Sequence, residues 1–236
     1  MSVGTGSLFE TDAPRPLADS LRPASLQEVL GQDHLLGADA PLGRMTREGR
    51  LTSMILWGPP GTGKTTIARL LAGSTDLHFE PLSAVFSGVA DLRKVFERAK
   101  ERRVGGQGTL LFVDEIHRFN RAQQDGFLPY VEDGTVILVG ATTENPSFEL
   151  NGALLSRSQV FVLNRLGHEA LEALLARAEE EIGRSLPLIA EARSAVCAMA
   201  DGDGRYLLNL VEEIVSLSAD DILDVADLTK AIQKRA

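Results

Sequence analysis

The run Trp57-Gly58-Pro59-Pro60-Gly61-Thr62-Gly63-Lys64-Thr65-Thr66 carries the most specific chemistry in the chain. Its glycines leave successive backbone N–H groups free to point at phosphate oxygens, and the start of a following helix would add its partial positive end. Lys64 is placed to reach the β- and γ-phosphates, and the Thr65 hydroxyl to ligate Mg²⁺. Gly58, Pro59, Pro60, Gly61, Thr62, Gly63, Lys64, Thr65 and Thr66 are therefore the expected cradle for a nucleoside triphosphate. The alternative, a glycine-rich turn ending in Lys-Thr, does not explain the flanking pattern. Apolar Met54-Ile55-Leu56-Trp57 precedes the loop and a helical pattern over residues 65–72 follows it, as a phosphate-binding loop requires.

A second stretch completes the chemistry. Leu110-Leu111-Phe112-Val113-Asp114-Glu115 reads as a strand ending in an acidic pair. At the carboxyl edge of a parallel sheet, Asp114 would hold the Mg²⁺ through water beside the loop. Glu115 would orient and deprotonate a water for attack on the γ-phosphate. A small-molecule kinase has the opposite need, to keep water from the γ-phosphate, so Glu115 counts against that class. Acidic residues commonly follow strands in turns, and it is the pairing with the phosphate loop that gives these two weight.

These groups need a sheet to hold them. Strands are expected over residues 54–57, 77–84, 109–113, 136–141 and 158–163. Between them lie helices over 65–72, 89–103 and 122–132, with short helices over 25–31, where Ser25 and Glu28 form a capping box, and 42–49. Val89, Leu92, Val95, Phe96 and Ala99 recur at helical spacing, and the all-apolar third strand predicts burial on both faces. Alternating strands and helices imply an α/β fold with a five-stranded parallel sheet and helices on both faces. After Gly167 the pattern is helical only, over residues 168–183, 190–200, 205–218 and 225–234. The expected division is a flexible arm over 1–15, an α/β nucleotide-binding domain over 16–166 and a small all-helical lid domain over 167–236.

Composition sets outer bounds. The chain has 236 residues, 44% hydrophobic and 24% charged, with a formal net charge of −9. That charge excludes a general basic coat for nucleic acid. Residues 166–236 hold 14 acidic and 7 basic side chains, so a nucleic-acid face is expected on the first portion. No apolar run reaches membrane-span length, a single cysteine forms no internal disulfide, and no Cys/His cluster shows metal-ligand spacing. The expected location is the cytoplasm. Cys197 reads as core, and His34, His78, His117 and His168 suggest no catalytic triad.

Gly58 to Thr66, Asp114-Glu115-Ile116-His117-Arg118-Phe119-Asn120 and Gly140-Ala141-Thr142-Thr143-Glu144-Asn145-Pro146-Ser147-Phe148 together resemble AAA+ ATPases. More narrowly they are similar to the replication-associated recombination protein A family, relatives of clamp loaders. Glu132-Asp133-Gly134-Thr135, Phe148-Glu149-Leu150-Asn151 and the adenine-side segment Arg22-Pro23 with Gly31-Gln32 also fit, so the likeness covers about residues 16–236. The resemblance implies a P-loop AAA+ fold with ATP and Mg²⁺ as ligands, Thr65 and Asp114 being the metal-side residues. It implies that Thr143, with Thr142 beside it, positions the lytic water, and that Arg157, in Ser156-Arg157, enters a neighbouring subunit's ATP site. It also implies that Arg205, in Gly202-Asp203-Gly204-Arg205, reaches the phosphates from the lid. Tyr206 stands where a second arginine is more usual. Ser83 stands where clamp loaders carry a polar residue that restrains the catalytic glutamate, and serine departs from that pattern.

The family further implies DNA, single-stranded or forked, and replication or repair proteins such as single-strand-binding protein as partners. It implies a tetramer in full-length members and a nucleoid-associated location. Ser87-Gly88 with Arg93 and Lys94, and Arg118 with Arg121, are the candidate phosphate contacts; the competing expectation is that Arg98, Lys100, Arg102 and Arg103 sit where cations favour a helix C-terminus and that Arg118 only braces a loop. Members continue into an oligomerising C-terminal domain, so this chain is expected to lack it and to be monomeric as it stands. The leading expectation is a DNA-stimulated ATPase remodelling DNA or protein at stalled forks and recombination intermediates. A clamp-loader or branch-migration motor subunit, a P-loop small-molecule kinase and a non-hydrolysing nucleotide-binding scaffold are the alternatives.

Overall fold

The computed structural model describes residues 15–217 and 222–233. The expected flexible arm therefore falls, but for Arg15, outside the described residues, as do the expected ends of the last two helices at 218 and 234.

The entry segment contains α1 (Leu17–Ser20), a 3₁₀ turn (Leu26–Glu28), α2 (Asp33–Leu36) and α3 (Pro41–Arg47). The sheet portion follows as β1 (Met54–Trp57), α4 (Lys64–Ser74), β2 (His78–Ser83), α5 (Val89–Val104) and β3 (Thr109–Asp114). Next come α6 (Arg121–Asp125), α7 (Leu128–Glu132), β4 (Ile137–Thr142), α8 (Pro146–Glu149), α9 (Gly152–Leu155) and β5 (Gln159–Val162). The remaining elements are helical: α10 (His168–Ile182), α11 (Ala190–Ala200), α12 (Gly204–Ser216) and α13 (Val225–Gln233).

All four strand pairings are parallel, in the order β2-β3-β4-β1-β5. Alternate residues of each inner strand enter different cores, which is why those strands read as unbroken apolar runs. Met54, Leu56, Leu110 and Phe112 pack with Ile67 and Leu71 of α4 on one face. Ile55, Leu111 and Val113 pack with Leu92, Val95 and Phe96 of α5 on the other. A third core, built on Leu171, Leu175, Val196, Leu207 and Val211, lies among the last four helices, and Leu17 and Leu21 pack against it. No helix among the described residues is long and apolar enough to cross a membrane.

Two local expectations are corrected. The single helix over 122–132 is two, broken at Gly126-Phe127. Pro129 has no N–H to donate to a carbonyl of the preceding turn, so it fits the first turn of a new helix rather than the interior of a continuous one, and the break lets fully buried Phe127 meet Phe96 and Phe119, each at a centroid distance of 5.7 Å. The first of the two begins earlier than expected, because Asn120 caps it by accepting from the Gln123 amide. The expected capping box at Ser25 is the second correction. The Glu28 carboxylate reaches back to the Ala24 amide rather than that of Ser25, and Ser25 Oγ donates to Glu28, so a 3₁₀ turn forms instead of a helix.

The basic end of α5 also has a tertiary role. Arg98 and Arg102 both bond the Glu80 carboxylate, at 2.8 and 2.6 Å, which ties α5 to β2. The Glu80 side chain is only 10% exposed, so removing it strands charge that is partly out of water. Glu80→Ala should cost about 2–3 kcal/mol of stability, below the full figure for a buried pair because Arg98 is half-exposed. Urea unfolding monitored by circular dichroism would measure it.

Candidate functional site

The strand order brings three chain segments to one edge. β4 lies between β3 and β1, so the carboxyl end of β4 is flanked by the phosphate loop after β1 and by Asp114 at the end of β3. The Gly58 amide donates to the Thr142 carbonyl, which stitches the loop's start to β4. The resulting cavity of about 360 Å³ is of ligand size. Lys64, Thr65, Asp114, Glu115, Thr143 and Arg205 all line it, together with the loop from Pro60 to Thr66.

The loop's shape follows from its glycines. Gly61 and Gly63 have φ of +67° and +94°, in the region that favours glycine. Gly63 ends the loop as the residue before α4. Lys64 Nζ donates to the carbonyls of Gly58 and Pro59, both at 2.7 Å, and Thr62 Oγ1 donates to Pro59 at 2.9 Å. Gly58 and Pro59 thus hold the lysine with their carbonyls rather than line the cavity. Burial pushes the Lys64 pKa down from its usual value; Glu115, Asp114 and Asp203 oppose that, and Arg205 adds to it.

The acidic pair sits on different geometry. Asp114 ends β3, with Ser83 of β2 as its register partner. Glu115 turns the chain with φ 53° and ψ 46°, a left-handed conformation uncommon for a non-glycine residue. Its carboxylate Oε2 lies 3.2 Å from His117 Nδ1. That same nitrogen lies 2.9 Å from Thr142 Oγ1. The sequence reading placed His117 in no site. Its nearness to Glu115 in the chain was the available signal, and the contact with Thr142 was not legible.

The helical segment closes the other side. The Gly204 amide donates to the Gly61 carbonyl at 3.2 Å, and a Cβ on Gly61 would overlap the Asp203 carboxylate. Asp203 caps α12 by accepting from the Tyr206 amide, and Arg205 stands in its first turn. Leu174, Arg177 and Leu208 also line the cavity, and none of them was foreseen. At the entry side, Arg22 NH1 donates to Thr66 Oγ1 at 3.4 Å. Fully buried Gln32 makes paired hydrogen bonds with the backbone of Asn164, at 2.8 and 3.1 Å. The segment that holds Gln32 is thereby pinned beyond the end of β5.

Arg157 is not brought to this cavity. Its Nε bonds Glu132 at 2.6 Å, and its NH1 donates to the Ala153 carbonyl and to Ser156 Oγ. Among the nucleic-acid candidates, Arg93, Arg118 and Arg121 are exposed and make no ion pair among the described residues. Lys94 lies 4.0 Å from Asp91. At the α5 start the Asp91 carboxylate accepts from the Gly88 amide. Contrary to the spacing argument, His168, Glu172 and Cys197 do lie together. Burial first, then Glu172, pushes the Cys197 thiol up to about 12, and Glu172 is already paired with Arg193 at 2.7 Å. In this structure Cys197 Sγ donates to Glu172 Oε1 at 3.5 Å, and Cys197 packs in the core among the last helices.

Residues 54–166 match the family described as ATPase family associated with various cellular activities (AAA). Over 231 residues the chain is 47% identical to replication-associated recombination protein A of Escherichia coli (strain K12), covering 96% of this chain and 51% of that protein. It is 51% identical over 211 residues to the protein of that name from Coxiella burnetii, covering 87% of this chain and 48% of that one. The Thermotoga maritima RuvB Holliday junction branch migration motor superposes with a TM-score of 0.73 at 26% identity, over 91% of this chain and 72% of that one. The chain spans about half the length of the curated relatives it matches.

Proposed function

Because the chain belongs to the AAA family of ATPases, we propose that it binds ATP in the cavity above the sheet and hydrolyses it, and that this cycle acts on DNA at stalled replication forks or recombination intermediates. The observation that carries the ATPase reading is the convergence of Lys64, Thr65, Asp114, Glu115, Thr143 and Arg205 on one cavity from separate elements. Backbone amides from Pro60 to Thr66 would receive the phosphates, with Lys64 exchanging its two carbonyl partners for phosphate oxygens. Thr65 and Asp114 offer hard oxygen donors on the same cavity, a set that suits Mg²⁺. When bound there, Mg²⁺ would neutralise charge on the β- and γ-phosphates. Glu115 accepts a proton from water as the water oxygen bonds the γ-phosphorus and the bond to the ADP oxygen breaks. Thr143 orients that water, and Arg205, fixed against the loop through Gly204 and Gly61, senses the phosphates from the helical side. The helices from α10 onward act as a lid domain on the α/β domain.

The DNA part of the reading is supported by the naming of the relatives, and their identity of 47–51% favours it over a branch-migration motor, at 26%. Candidate contacts are Arg93, Arg118 and Arg121, which carry no competing ion pair among the described residues. Single-strand-binding protein is a candidate partner by the same resemblance.

Two measurements test the proposal: binding of a fluorescent ATP analogue, and phosphate release with and without single-stranded or forked DNA. Lys64→Ala should weaken nucleotide binding about 10- to 100-fold, as loss of a charged hydrogen bond does. Unchanged affinity would place the nucleotide elsewhere. Turnover indifferent to every DNA form would remove the DNA part and leave the ATPase part standing.

A further inference from the structure

We propose that His117 is a positioning residue: it holds the Glu115 carboxylate at the cavity and couples it to the end of β4. The inference rests on the proposed role of Glu115 as the water activator.

The coupling begins with the turn after β3. Glu115 has left-handed backbone geometry, which a non-glycine residue keeps only where its surroundings fix it. The fixing is visible. The 3₁₀ turn Ile116–Arg118 follows, closed by the Arg118 amide donating to the Glu115 carbonyl at 2.8 Å. Ile116 is fully buried and lies flat on β4 at Gly140, where an added Cβ would meet Ile116 Cδ1 at 2.8 Å. Glycine in mid-strand therefore lets this turn dock directly on the sheet. Docking carries His117 inward, leaving its side chain 8% exposed, between Glu115 and Thr142.

One nitrogen then faces two oxygens. His117 Nδ1 is 3.2 Å from Glu115 Oε2 and 2.9 Å from Thr142 Oγ1. With its proton on Nδ1, the ring donates to the carboxylate, and the Thr142 hydroxyl turns its hydrogen to the Glu144 carbonyl at 3.3 Å. With Nδ1 bare, the ring accepts from Thr142 and presents a lone pair to Glu115, which loses its partner. Thr142 is fully buried, and its hydroxyl also accepts from the Glu144 amide at 3.0 Å, so it has little freedom to avoid the choice.

The partner exchange is wired to the nucleotide. Thr142 precedes Thr143, which lines the cavity, and the Thr142 carbonyl accepts from Gly58 at the start of the phosphate loop. A shift of the β4 end when Thr143 meets its ligand therefore alters which oxygen His117 serves. Ser83, where the family resemblance would put the restraint on the glutamate, makes no side-chain hydrogen bond to Glu115 among the described residues. The chemistry of restraint belongs to His117 instead.

The test is a double-mutant cycle read in kcat and nucleotide affinity. His117→Ala should lower kcat about 10- to 100-fold, as loss of a group that orients a reacting one does, with nucleotide affinity within about twofold. His117→Asn, whose amide can donate from nearly the place of Nδ1, should recover most of the loss. In the Glu115→Gln background, His117→Ala should cost nothing further, because its only route to the chemistry is gone. An equal loss in both backgrounds, no rescue by Asn, or a kcat unchanged by His117→Ala would each overturn the inference. A Glu115→Gln protein with normal turnover would instead overturn the reading of Glu115, and this inference with it. Thermal melting of each variant separates these outcomes from misfolding, and the Asn variant keeps the test decisive if Ala destabilises the turn.

Discussion

Glu115→Gln is expected to lower ATP turnover by about 10²- to 10⁴-fold, the range for removing a positioned general base, while nucleotide still binds. The substitution keeps the side chain's length and shape and removes its negative charge and its capacity to take a proton. The left-handed turn and the docking of Ile116 on Gly140 involve none of the carboxylate atoms, so the backbone should keep its place. Lys64 feels the change, since Glu115 is the strongest of the charges opposing the burial that pushes its pKa down. That effect bears on binding, and the loss of the base bears on the chemical step. The expected signature is thus a fall in kcat with affinity for a fluorescent ATP analogue changed far less. Single-turnover phosphate release would show it directly, and a turnover like that of the unaltered protein would remove Glu115 from the mechanism.

The features legible in the sequence are those whose physics is local or periodic. The phosphate loop is ten consecutive residues, and the acidic pair is two more at the end of a run apolar enough to be buried on both faces. The five strands were located to within about a residue; in the inner ones neighbouring side chains enter opposite cores and must be apolar, whereas the edge strands β2 and β5 carry polar and exposed residues. What stayed hidden depends on partners distant in the chain. Gln32 and Asn164 pair across 132 positions, and the contact of Gly61 with Asp203 and Gly204 exists only once the helical segment has folded against the loop. The break at Gly126-Phe127 had a local sign in Pro129, but the decisive force is burial of Phe127 between two other rings, which periodicity alone does not reveal. His117 is the case nearest the chemistry. Two residues from Glu115 it was visible, yet Thr142 reaches it only because β4 lies beside β3.

Arg157→Ala is expected to cost about 10³- to 10⁵-fold in turnover, the range for an arginine that stabilises charge on a transferring phosphoryl group, but only where copies of the chain assemble. Within one chain Arg157 is held away from the cavity by Glu132, the Ala153 carbonyl and Ser156. Its role must therefore be in a neighbour's site or none. The Glu132 pair is no obstacle: the two side chains are 39% and 50% exposed, and an ion pair that open to water contributes at most about 1 kcal/mol. A γ-phosphate approaching from a second subunit would outcompete it, so Glu132→Gln should leave turnover unchanged or raise it. The decisive measurement mixes two inactive proteins under conditions in which copies assemble. A protomer carrying Glu115→Gln retains Arg157, and one carrying Arg157→Ala retains Glu115. Mixed assemblies then contain some interfaces with an intact glutamate on one side and an intact arginine on the other, and should regain part of the lost activity. Mixtures that stay inactive, or an Arg157→Ala protein that turns over normally when assembled, would make this arginine a surface residue braced by its acidic neighbour.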